Sequence, residues 1–130
     1  MSKSILSVNG SRAMNFLLQT VFEKEYKFVP VSDVYQGINY LRANKRTNVL
    51  VVDLDFQPQQ SWDLIQHIKS SKLYRLPVVV LTTANDEVLK QKCYEYEVDE
   101  IFVKPFNPED LLTAVKCLMT VPVPGDTLNM

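Results

Sequence analysis

The chain has 130 residues, 46% hydrophobic and 22% charged, with a formal net charge of −1. This is the length and balance of one globular domain, which excludes a disordered chain, and near-neutrality excludes nucleic-acid recognition by bulk electrostatics. No apolar run approaches the roughly 20 residues that cross a bilayer, so neither a membrane nor a nucleic acid is expected as partner. Met1 to Lys3 leads straight into a strand-like segment without a signal-peptide pattern, and Cys93 and Cys117 have no metal-type spacing. Together these predict a cytoplasmic protein with reduced thiols.

Ser4 to Val8 reads as a first strand, ended by Asn9-Gly10. Met14, Leu17, Leu18, Val21 and Phe22 then recur at helical spacing, with Ser11 or Asn9 as cap. Tyr26 to Val31 is a second strand. Ser32-Asp33 opens a helix to about Ala43, with Val34, Ile38 and Leu41 inward. Asn48 to Asp53 is a third strand whose unbroken apolar run predicts burial on both faces. Gln57 to Gln60 reads as a polar loop, and a helix from Ser61 carries Trp62, Ile65 and Ile68 inward. Lys69 to Arg75 reads as a solvated basic turn. Leu76 to Leu81 is a fourth buried strand, with Pro77 at its start. Asn85 is the expected cap of a helix running to about Tyr96. Glu100 to Val103 is a fifth strand. Asn107 caps a last helix with Pro108 at its first position and Leu111, Leu112, Val115, Leu118 and Met119 inward. Residues 1–120 form one domain on this reading, and 121–130 a tail or linker stub.

Strand–helix alternation five times over predicts an α/β fold, a doubly wound parallel sheet of flavodoxin-like order 2-1-3-4-5 between two helix layers. In that order Asp53, the Asn9-Gly10 turn, Thr82 and Lys104 meet at the carboxyl edge of the sheet. A carboxylate, a hydroxyl and an ammonium around one crevice suit a phosphoryl or other anionic group. The same spacing also allows a plain Asp53–Lys104 salt bridge closing the sheet edge, with Thr82 as a helix-entry residue.

Three stretches carry a family resemblance. Val51-Val-Asp53-Leu-Asp-Phe with Trp62 beyond it, Pro77-Val-Val-Val-Leu-Thr82-Thr83, and Asp99-Glu-Ile-Phe-Val-Lys104-Pro105-Phe106 resemble response-regulator receiver domains over about residues 3 to 119. The resemblance implies Asp53 as phosphoacceptor, Thr82 beside the phosphoryl group, Lys104 pairing with it, and a cis Lys104-Pro105 peptide. It further implies Mg²⁺, a histidine kinase or other signalling protein as partner, and a relay face on the fourth helix, fifth strand and fifth helix. Lys90, Tyr94, Ile101 and Phe106 fall on that face. Homodimerisation through the last elements is also a family habit.

Several positions depart from the family pattern. Asn9 and Gly10 stand where it has two metal-binding acids, leaving Asp53, Asp55 and Asn9 as candidates for a weak or absent Mg²⁺ site. Ile101 replaces the aromatic switch residue. Gln57 precedes Pro58 where the proline usually comes one residue earlier. Glu97 stands where glycine often supplies a left-handed turn, so that turn is expected to be built differently. His67, the single histidine, falls on an exposed helix face. Three functions follow: a receiver working chiefly through protein contacts with weak or absent phosphorylation at Asp53, a conventional phosphoacceptor receiver, and a small flavodoxin-like enzyme or nucleotide-binding domain. The first two are not enzymes. The third lacks a glycine-rich phosphate loop after the first strand.

Overall fold

The computed structural model describes residues 3–44, 46–71 and 74–120. The expected tail, 121–130, lies outside them, as do Lys72 and Leu73 of the basic turn. The elements alternate as β1 (Ser4–Val8), α1 (Arg12–Phe22), β2 (Lys27–Val31), α2 (Val34–Ala43), β3 (Val49–Asp53), α3 (Pro58–Ser70), β4 (Val78–Thr82), α4 (Glu87–Glu95), β5 (Glu100–Val103) and α5 (Pro108–Thr120). All strand pairs are parallel and the order is β2-β1-β3-β4-β5, as the alternation predicts.

Every residue of β3 and β4 is buried, because helices cover both faces. Strand periodicity splits their side chains between two cores. Leu50, Val52, Val78 and Val80 join α2, α3 and α4 around Trp62, Ile65 and Ile68. Val49, Val51, Val79 and Leu81 join α1 and α5 around Leu18, Phe22 and Leu111. The Phe22 and Phe28 rings stack there at 5.8 Å. Leu17, read as core, is 44% exposed: it sits one residue, about 100°, from fully buried Leu18.

Several boundaries differ from the sequence reading. α3 starts at Pro58, whose ring presets the helical φ; its polar first turn faces water, so no apolar signal marks it. Asp86, not Asn85, caps α4, accepting from Leu89 N–H at 2.8 Å. Tyr26, Asn48, Leu76 and Pro77 lie outside the strands they were read into, and β4 extends to Thr82. Glu97 keeps the left-handed conformation at φ 60°. Val98 N–H donates to the Cys93 carbonyl and Glu97 N–H to that of Tyr94, so the turn is an ordinary helix C-terminal motif without its glycine. Lys69 is not merely solvated. Its Nζ lies 2.7 Å from Asp99 Oδ2, which also accepts from Val78 N–H at 2.7 Å.

Gly37, which no sequence signal singles out, sets the approach of α2 to the sheet. A Cβ there would lie 2.8 Å from Val8 Cγ2. Gly37→Ala should therefore lose roughly 1 kcal/mol, because overpacking a filled core outweighs the helix-propensity gain of about 1 kcal/mol. A lowered urea midpoint is the expected result; a raised one would show that β1 and α2 have room to part.

Candidate functional site

β3 delivers Asp53 as its last residue, beside Leu81 of β4 and only 4% exposed. The chain turns at once. Asp53 Oδ1 accepts the Asp55 N–H at 2.8 Å, a turn that returns the Asp55 side chain to the same crevice. β4 ends on buried Thr82, and exposed Thr83 follows. Past β5, the Lys104 N–H donates to the Thr82 carbonyl at 2.8 Å. The Lys104-Pro105 peptide is cis.

These side chains meet. Lys104 Nζ lies 2.6 Å from Asp53 Oδ2 and 3.0 Å from Asp55 Oδ2. Asp55 also accepts from Thr83 N–H at 3.1 Å to each oxygen, from Thr83 Oγ1 at 3.2 Å and from Thr82 Oγ1 at 3.4 Å. Thr82 Oγ1 in turn accepts from Ala84 N–H at 3.0 Å. Burial alone would raise the Asp55 pKa; the Thr83 N–H bond and the Lys104 contacts outweigh it and hold the carboxyl below its ordinary value. Burial likewise opposes the charge on Lys104, and the bonds to Asp53 and Asp55 reverse it, raising the ammonium above its ordinary range.

Asn9 and Gly10 border this crevice differently from an acidic pair. Asn9 is 2% exposed; its Oδ1 accepts Ser11 N–H at 2.8 Å, while its Nδ2 has no hydrogen-bond partner. Ser11 is the α1 cap. A Cβ on Gly10 would fall 2.5, 2.6 and 2.8 Å from three ring carbons of Phe56, so that ring fills the direction a side chain would take. Among the described residues, no three His, Cys, Asp or Glu side chains gather as a metal-binding group.

The remaining candidates lie elsewhere. Lys90 and Tyr94 are exposed on α4, Lys90 within 3.6 Å of Glu87. Ile101 is half-buried against the α2–α3–α4 core and Phe106 against the α1–α5 core, so the two straddle the edge strand. His67 is exposed and packs edge-on to Tyr74. Sequence reasoning missed two participants. Thr83 enters through its backbone N–H, which no residue type reveals, and through its hydroxyl, for which the Thr82-Thr83 pair was the available signal. Phe56 enters through the gap a glycine leaves, for which the lone Gly10 was the available signal.

Residues 5–116 match the family model of the response regulator receiver domain. Hybrid signal transduction histidine kinase D of Dictyostelium discoideum is 30% identical over 119 residues, covering 90% of this chain and 8% of that protein. Transcriptional regulatory protein GltR of Pseudomonas aeruginosa is 26% identical over 120 residues, covering 90% of this chain and 49% of that protein. The chain thus spans half or less of the length of these relatives. Among solved structures, a response regulator from Thermotoga maritima superposes with TM-score 0.82 at 22% identity, covering 93% of this chain and all of that one. The Mn²⁺-bound form of response regulator Rcp1 gives TM-score 0.74 at 28% identity, covering 95% and 99%. With nearly its whole length matched and the family's sheet order in place, this chain belongs to the response regulator receiver domains of two-component signalling.

Proposed function

We propose that this receiver domain is a signalling module rather than an enzyme. It acts chiefly through protein–protein contacts, and Mg²⁺-dependent phosphorylation of Asp53 is weak or absent. In this reading Asp53 keeps the phosphoacceptor position, with Thr82 and Lys104 beside it. The observation that carries it is the Lys104 ammonium lodged between Asp53 and Asp55. Kinship with a hybrid histidine kinase supports a histidine kinase or another signalling protein as partner. The contact surface proposed for it is the α4 face of Lys90 and Tyr94 with the edge around Ile101 and Phe106; Tyr94 is 80% exposed.

The family implies a divalent cation, and the residues present do not fit one. Mg²⁺ takes near-octahedral oxygen ligands and depends on carboxylates to offset its dehydration. Here Asn9 Oδ1 is tied into a turn, Gly10 offers no side-chain ligand, and an aromatic ring fills the direction one would take. The two carboxylates that remain already share one ammonium. Lys104 therefore supplies the positive charge of the crevice, and Asn9 Nδ2, a donor, adds no cation ligand.

Incubation with Mg²⁺ and a small acyl phosphate should leave the intact mass of most molecules unchanged. A stoichiometric phosphate addition that vanishes in Asp53→Ala would instead establish a conventional phosphoacceptor. Gly10→Asp alone should not gain Mg²⁺ affinity by calorimetry. Gly10→Asp with Phe56→Ala should gain about tenfold or more, since ligand charge then increases in a space that can hold it.

Lys104→Met should cost about 2–4 kcal/mol at pH 7, because it strands buried Asp53 without a cation. The pH window follows from the two shifts. The lowered Asp55 pKa stabilises the fold above the ordinary carboxylate value near 4, and this is lost as pH falls through the folded value. The raised Lys104 pKa stabilises below the ordinary lysine value near 10.4, and this is lost as pH rises through the folded value. Urea midpoints of wild type and variant should thus differ most in that window and converge in acid.

A further inference from the structure

Two carboxylates meet one ammonium in the crevice, and they are not equivalent. Asp53 accepts from two groups, the Asp55 N–H and Lys104 Nζ. Asp55 accepts from Lys104 Nζ, Thr83 N–H, Thr83 Oγ1 and Thr82 Oγ1, all between 3.0 and 3.4 Å. An ammonium, a backbone N–H and two hydroxyls converging on one small volume are an oxyanion seat. The chain's own side chain sits in it. The donors come from two places, the end of β4 with the residue after it and the residue after β5, so the occupant fixes the start of the β4–α4 loop relative to β5.

We propose that Asp55 is the resident, intramolecular anion of this seat, holding the β4–α4 loop in its anion-engaged position without any modification of Asp53. The proposal rests on the receiver reading of Asp53 and deepens it, because a phosphoryl group on Asp53 would need the donors that Asp55 already holds. Such a group brings close to two negative charges. It would have to expel Asp55 into water and take over Lys104 while no second cation balances the crevice. Asp55 thereby blocks the modification and fixes the loop without it.

The test is amide hydrogen exchange of the full chain at pH 7 without phosphodonor, in wild type, Asp55→Ala, Asp55→Asn and Asp53→Asn. Thr83 N–H exchange should accelerate about tenfold or more in Asp55→Ala, as expected for losing a hydrogen bond to a charged acceptor, and less in Asp55→Asn, which keeps one oxygen. Asp53→Asn should leave Thr83 within about twofold of wild type. Formate at constant ionic strength should restore protection in Asp55→Ala, and equal chloride should not. Unchanged Thr83 exchange in Asp55→Ala would overturn the proposal, as would a loss that formate fails to reverse. Core amides of β3 serve as the folding control, with Asp55→Asn the measure if Asp55→Ala unfolds. The mass assay on wild type stays separate: phosphate uptake there would defeat the weak-phosphorylation reading while the Thr83 result still decides whether Asp55 holds the seat.

Discussion

One cation serves two carboxylates, and the upper edge of the molecule depends on that ratio. Lys104 Nζ bridges Asp53 and Asp55 within 3.0 Å. Removing a carboxylate from water is costly unless a charge and hydrogen bonds replace the solvent. Asp53, 4% exposed, has little but Lys104 and one backbone N–H. Asp55 is exposed and better supplied, so it tolerates sharing. The ammonium gains from both and keeps its proton more firmly than usual.

The fold makes this contact by convergence. Three parallel strands end at one edge, each contributing a residue that could not reach the others along the chain: Asp53 from β3, Thr82 from β4 and Lys104 after β5. Full burial of β3 and β4 fixes their ends by packing, so the crevice is positioned by core side chains it never touches. At β1 the same convergence brings Asn9 and Gly10 rather than acids. Phe56 fills the direction a Gly10 side chain would take, which makes that wall of the crevice partly apolar.

Much of this was legible in the sequence because it lies in residue type and period. Uninterrupted β-branched runs gave β3 and β4 their burial and the sheet its parallel order, and the Lys-Pro-Phe stretch located the cation. Other features arise from groups that every residue carries or from spaces between residues. The Thr83 backbone N–H, the Phe56 ring over Gly10 and the Gly37–Val8 approach are of that kind. The polar first turn of α3 was hidden for another reason: a helix face turned to water has no apolar signature. Glu97 went the opposite way from expectation, because closing the Schellman bonds outweighs a left-handed residue costing about 1 kcal/mol.

β5 lies at the margin of the sheet with four residues and no fully buried side chain among them. It is stapled at both ends by ionic contacts, Asp99 to Lys69 and the Val78 amide below, Lys104 to Asp53 above. The lower staple is the more open to solvent and answers to ionic strength, whereas buried Asp53 shields the upper one, since salt screens exposed pairs far more than buried ones. Salt therefore acts unevenly on the two ends of β5, more at Asp99 than at Lys104. Like β2 at the opposite margin, β5 presents an edge that another chain could pair with.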